Sequence, residues 1–102
     1  MEREGSVPTI EYIKKVGGEL RTILRRHGGD NLRLFGSVAK GTSTLSSDVD
    51  FLIDFPNDKT FFDLGFLLDE MEEVVGFPVE LYTLEMLPTD VRERVEKSYI
   101  QI

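Results

Sequence analysis

The sequence has no cysteine, one histidine and no long uninterrupted apolar run. Without cysteine there is neither a disulfide framework nor a thiolate site for zinc or redox chemistry, and the chain suits a reducing cytoplasm. No apolar stretch approaches the ~18 to 20 residues that a membrane span needs, and Met1 to Pro8 carry alternating charges with no apolar core of signal-peptide length. A cytoplasmic protein with no membrane partner is expected. Positive charge is scarce as well: 12 Lys and Arg stand against 19 Asp and Glu, a net charge of −7. Binding to phosphate backbones rests on clustered Lys and Arg, so general nucleic-acid binding is not expected. Small ligands, metal cations and protein partners remain.

What is present suffices for a folded body. The 102 residues are 40% hydrophobic and 30% charged, too apolar for a disordered chain and too short for two domains, so one domain over 1–102 is expected. From about Thr9 to His27 the positions Ile10, Ile13, Val16 or Gly17, Leu20, Ile23 or Leu24, and His27 recur at three and four residues, the spacing of one helix face, with Thr9 or Ser6 as cap and Gly28-Gly29 as stop. Gly17-Gly18 inside it marks a kink or a close approach. Leu32 to Phe35 read as a short strand, and Gly36 to Ser47, rich in Gly, Ser and Thr, as a loop or one helical turn.

Val49, Phe51, Ile53 and Phe55 then alternate with Asp48, Asp50, Leu52 and Asp54, the period of a strand with its carboxylates on one face. Thr60 and Asp63 are placed as a capping box for a second helix. Phe61, Leu64, Leu68, Met71 and Val75 form its expected buried stripe, Phe62 and Phe66 are also expected in the core, and Asp69, Glu70, Glu72 and Glu73 face solvent. Gly76 ends it, Pro78 to Tyr82 form a third strand, and Pro88 opens a last helix to about Lys97. Such alternation predicts an α/β domain, a small mixed sheet packed with helices.

The chemistry lies between Leu34 and Phe55. Asp48 and Asp50 sit two residues apart on one strand face, roughly 6.5 to 7 Å along the backbone, where both carboxylates can lean onto one divalent ion. Hard cations such as Mg²⁺ take one or two carboxylates plus substrate phosphates. Gly36, lacking a Cβ, lets backbone N–H groups approach an anion, Ser37 adds a hydroxyl, and the Lys40 ammonium lies about one turn on. Each part alone is ordinary: Gly-Ser pairs make turns, strand-face aspartates meet solvent, and Lys40 is a surface lysine. The ordered conjunction, phosphate donors at one strand end and metal ligands on the next, points to phosphoryl transfer. Asp54 shares the carboxylate face too far along to join them and reads as solvated or partner-facing. His27 reads as a helix-end charge.

Gly36-Ser37, ten residues, then Asp48-Val49-Asp50, inside the run GSVAKGTSTLSSDVDFLIDF, resembles the signature of the minimal nucleotidyltransferases, a small branch of the DNA polymerase β superfamily. The resemblance covers nearly the whole chain and implies a palm-like nucleotidyltransferase fold. It implies that Gly36 and Ser37 contact the triphosphate, that Asp48 and Asp50 hold two Mg²⁺ ions, and that ATP is the nucleotide donor. Glu80 stands where the family commonly has a third carboxylate, usually Asp; it is then a metal ligand or a base on the attacking hydroxyl, or else an exposed strand residue. Lys40 replaces an arginine frequent in the family and keeps the charge without the bidentate grip. Ser47 either bonds phosphates or closes its loop. The resemblance further implies a HEPN ribonuclease toxin as partner in a hetero-oligomer, with AMP transferred to a toxin tyrosine. The rival readings are an antitoxin that neutralises by binding alone and a domain that modifies a small molecule or nucleic acid.

Overall fold

The computed structural model describes residues 7–102, so the alternative cap Ser6 and most of the amino-terminal segment lie outside the described residues. Helix α1 (Ile10–Arg26) begins where the Thr9 hydroxyl accepts the Tyr12 N–H at 3.1 Å, and it buries Ile13, Leu20, Ile23 and Leu24. Strand β1 (Asp30–Phe35) leads into the short helix α2 (Gly36–Lys40), and β2 (Val49–Asp54) follows the loop. Helix α3 (Phe61–Val75) opens with the Thr60–Asp63 capping box, which holds the Asp63 carboxyl below its ordinary range, chiefly through the Thr60 backbone N–H. Strand β3 (Val79–Tyr82), a 3₁₀ turn at Leu84–Met86, helix α4 (Thr89–Ser98) and β4 (Ile100–Gln101) complete the order.

The sheet runs β3-β2-β1-β4. Strand β2 pairs antiparallel with β1 and parallel with β3, and β1 pairs antiparallel with β4. The parallel pair needs a crossover, and α3 supplies it. Leu32, Leu34, Val49, Phe51 and Ile53 point to one face, under α1 and α3, and form the main core with Leu67, Met71 and Val75. On the other face Leu52 is wholly buried with Leu87 and Val95. The expected mixed α/β sheet is therefore present, with helices on both faces.

Several expectations give way. Phe61, Phe62 and Phe66 are not core residues: they are 84%, 80% and 63% exposed. Of the expected stripe Met71 and Val75 are buried and Leu64 and Leu68 pack partly buried against the core, while Leu67 joins the buried line; six of the eight residues from Phe61 to Leu68 are apolar, which leaves the phase of the first turns undetermined. Glu70 is not simply solvated, since it pairs with both Arg26 and His27. Glu72 accepts the backbone N–H of Val79 at 2.9 Å. Asp54 is exposed as expected and also pairs at 2.7 Å with Arg33, whose guanidinium is buried beside the Tyr99 ring. Strand β4 has no counterpart in the sequence reading, because two residues carry no period.

Gly17-Gly18 resolves as a close approach. A Cβ on Gly17 would lie 2.8 Å from Ile102 Cγ2, whereas on Gly18 the nearest atom would be Arg21 Nη2 at 3.7 Å. Gly18→Ala is expected to stabilise the fold by about 0.5–1 kcal/mol through helix propensity. Gly17→Ala is expected to lose more than that gain by displacing Ile102. Paired thermal melts check this, and equal shifts of the two variants would contradict it.

Candidate active site

The site is assembled by register. In the β1–β2 pair Phe35 faces Asp50, and in the β2–β3 pair Asp50 faces Glu80. Asp48 immediately precedes β2. The three residues singled out in the sequence thus fall at one end of the sheet. Gly36 follows Phe35 with φ +79°, and a Cβ there would collide with the Asp50 carboxylate. Glycine is required twice over: for the left-handed backbone and for the carboxylate lying against it.

Asp50 is only half-buried, yet among the described carboxyls it is the one clearly raised. Burial, then the charge of Asp48, then that of Glu80 push its carboxyl from the ordinary 3.8 up to about 6. Glu80 is exposed, and its Oε1 accepts the Tyr82 hydroxyl at 3.4 Å. Burial of the ring, followed by the charges of Glu80, Asp50 and Asp48, raises the Tyr82 phenol above its usual range, so it stays a neutral donor. Tyr82 meets Phe35 edge-on at 5.4 Å between ring centroids, which ties the site to the face covered by α4. The sequence reading passed over Tyr82; its position two residues after Glu80 on an alternating strand was the available signal.

The other candidates divide. Ser37 is half-buried in the first turn of α2, and Lys40 is exposed at its end. Ser47 spends its hydroxyl on the loop, accepting the Thr44 N–H at 2.7 Å. That loop is anchored by Ser43 Oγ on Pro8 O at 2.7 Å and by Thr42 N–H on Ser37 O at 2.9 Å. Asp54 lies four residues beyond Asp50 and is committed to Arg33. His27 caps α1 and binds Glu70, as a helix-end group.

A divalent cation suits this donor set. The ligands are hard oxygens, the charges of Asp48 and Glu80 add to burial in raising the Asp50 carboxyl, and the ion pairs among the described residues engage Asp30, Asp54, Glu70 and Asp90 rather than these three. Among the described residues no three such side chains converge on a common point, so the carboxylates crowd one another without forming a closed cage. A groove of about 500 Å³ lined by Phe55, Phe61, Thr83 and Met86 lies at the opposite end of the strands and is not this site.

Residues 18–102 match the family model described as a nucleotidyltransferase domain. The chain belongs to that family. As a nucleotidyltransferase it has two similar curated proteins in Methanocaldococcus jannaschii, each named "putative protein adenylyltransferase". One is 29% identical over 90 residues, covering 88% of this chain and 97% of its own length; the other is 28% identical over 98 residues, covering 92% and 98%. A solved structure described as a "putative minimal nucleotidyltransferase" superposes with TM-score 0.80 at 29% identity, covering 92% of this chain and 96% of that one. A toxin–antitoxin structure with AMP-PNP superposes with TM-score 0.69 at 21% identity, over 82% and 69% of the two chains, a likeness of fold.

The raised Asp50 pKa has a stability consequence. The folded state holds the Asp50 proton more tightly than the unfolded chain does, so the penalty is absent below about pH 3.8, grows as pH rises towards 6, and is complete above it. Asp50→Asn is therefore expected to raise the melting temperature at pH 7.5 without added metal, with the difference from wild type shrinking towards pH 4. A variant less stable than wild type at pH 7.5 would contradict the crowding.

Proposed function

We propose that this nucleotidyltransferase moves AMP from ATP onto a tyrosine hydroxyl of a HEPN ribonuclease toxin and serves in that way as its antitoxin. The observation that carries the reading is the register that sets Asp50 beside Asp48, opposite Glu80 and against Gly36. The names of the M. jannaschii relatives support a protein acceptor, and the toxin–antitoxin neighbours support a toxin as that protein.

In this reading Asp48 and Asp50, with Glu80, hold Mg²⁺, two ions in all. The metal supplies charge neutralisation at the attacking and leaving oxygens of an in-line displacement. The chain's own groups do the rest. The backbone at Gly36 and the Ser37 hydroxyl bind the triphosphate where no Cβ obstructs it, and the Lys40 ammonium offsets its charge. Glu80 takes the proton of the acceptor hydroxyl as that oxygen bonds to the α-phosphorus and the bond to the β-phosphate oxygen breaks, releasing pyrophosphate. Tyr82, donating to Glu80, orients that carboxylate.

The test incubates the purified protein with ATP, Mg²⁺ and the HEPN protein of a neighbouring reading frame, followed by intact-mass and peptide mass spectrometry of the latter. A gain of one or more AMP units on tyrosine is expected. Asp48→Asn and Asp50→Asn should each lower the rate about 100-fold or more, and Glu80→Gln should do so by a similar factor. An unmodified yet inhibited toxin would overturn the transfer reading in favour of neutralisation by binding.

A further inference from the structure

Phe61, Phe62 and Phe66 make the most apolar exposed patch among the described residues, on the helix that links the two strands carrying Asp50 and Glu80. Isolated exposed apolar side chains need no explanation, but three phenylalanines on two turns of one helix do. Phe62 and Phe66 share one stripe of α3 with the exposed acids Asp69 and Glu73, at steps of four, three and four residues. Phe61 and Leu64 form the wall between two grooves. One is the groove towards Met86; the other, of about 270 Å³, runs between Gly65 and Leu68 on α3 and Val79, Glu80 and Leu81 on β3. This second groove therefore reaches Glu80 at the free edge of β3, around which its carboxylate stands on the Tyr82 side of the sheet. Gly65 forms a bare stretch of its wall, where a Cβ would meet nothing within 4 Å.

Charge decides the occupant. Between residues 56 and 86 the sequence has eight carboxylates and a single base, Lys59. A second copy of this chain would bring acid to acid. We propose that the α3 ridge and the groove along the β3 edge dock the acceptor protein through an amphipathic helix that is apolar on one side and basic on its flanks, holding the acceptor beside the sheet edge that carries Glu80. The proposal rests on the protein-acceptor reading above and adds the surface that selects the acceptor. The apolar centre contributes binding, while the acidic rim orients encounter.

The probe is a fluorescein-labelled amphipathic helical peptide with leucines at i, i+3, i+4 and i+7, flanking arginines and one tyrosine. Fluorescence anisotropy is expected to show binding to the wild type that weakens about tenfold or more in Phe62→Ser/Phe66→Ser and in Gly65→Leu, and for a peptide with glutamates replacing the arginines. Gly65→Leu guards against misfolding, since it occupies open space and removes a helix-interior glycine. With ATP and Mg²⁺ the wild type should label the peptide tyrosine faster than N-acetyl-tyrosine amide, and the phenylalanine variant should keep its rate on the small acceptor. Equal binding by wild type and variants, or equal binding of the acidic peptide, overturns the proposal. So does a wild-type dimer in sedimentation velocity that the phenylalanine variant abolishes, which would assign the ridge to a second copy. Peptide binding with the expected variant losses but no label on either acceptor upholds the ridge and overturns tyrosine transfer instead.

Discussion

The Asp50 carboxylate lies against a glycine that cannot be replaced without collision, between two other acids, and this crowding organises the site. It explains why β1 ends at Gly36, because the residue after Phe35 must clear the Asp50 side chain. It explains the value of the parallel β2–β3 pairing, which sets Glu80 level with Asp50. It also gives the crossover helix α3 a role beyond filling the core, since only a crossover lets β3 run parallel to β2. The result is negative charge held at one sheet end by backbone register, with the cost recorded in a carboxyl pushed up to about 6. A functional cluster commonly trades stability in this way.

The surplus of seven negative charges divides into uses that composition alone cannot separate. Some carboxylates are structural: Asp54 neutralises the buried Arg33, Glu70 ties α3 to the end of α1, Glu72 covers an edge N–H of β3 and Asp63 caps α3. Asp48, Asp50 and Glu80 lie together with no ion pair among the described residues. Asp69 and Glu73 remain on the surface beside the phenylalanines. The second group is the one proposed as the reaction centre, and its register distinguishes it from the first.

The elements with caps and clean periods were legible in the sequence. Thr9, the Thr60–Asp63 box, Gly76 and Pro88 mark helix ends through local hydrogen bonding and backbone freedom, and the alternation from Asp48 to Asp54 marks a strand. The proximity of the Gly36-Ser37 and Asp48-Asp50 pairs was legible too, because each pair was placed at the end of a strand and the two strands are neighbours in the sheet. What failed was long-range. The face of α3 depends on which side meets the sheet, and an apolar run from Phe61 to Leu68 contains no phase. Glu70 and Glu72 looked solvated because their partners, 43 and 44 residues away for Glu70 and 7 for Glu72, are adjacent to them only in space. Tyr82 drew no notice because its role exists only through Glu80 and Phe35.

The central claim is that Asp48 and Asp50 are a charge cluster made to bind a divalent cation together with a nucleoside triphosphate. Calorimetric titration of the protein with AMP-PNP, with and without Mg²⁺, tests it directly. The account predicts binding that requires Mg²⁺ and is lost when either aspartate is replaced by asparagine. Equal affinity without the metal, or affinity retained in both variants, would contradict it.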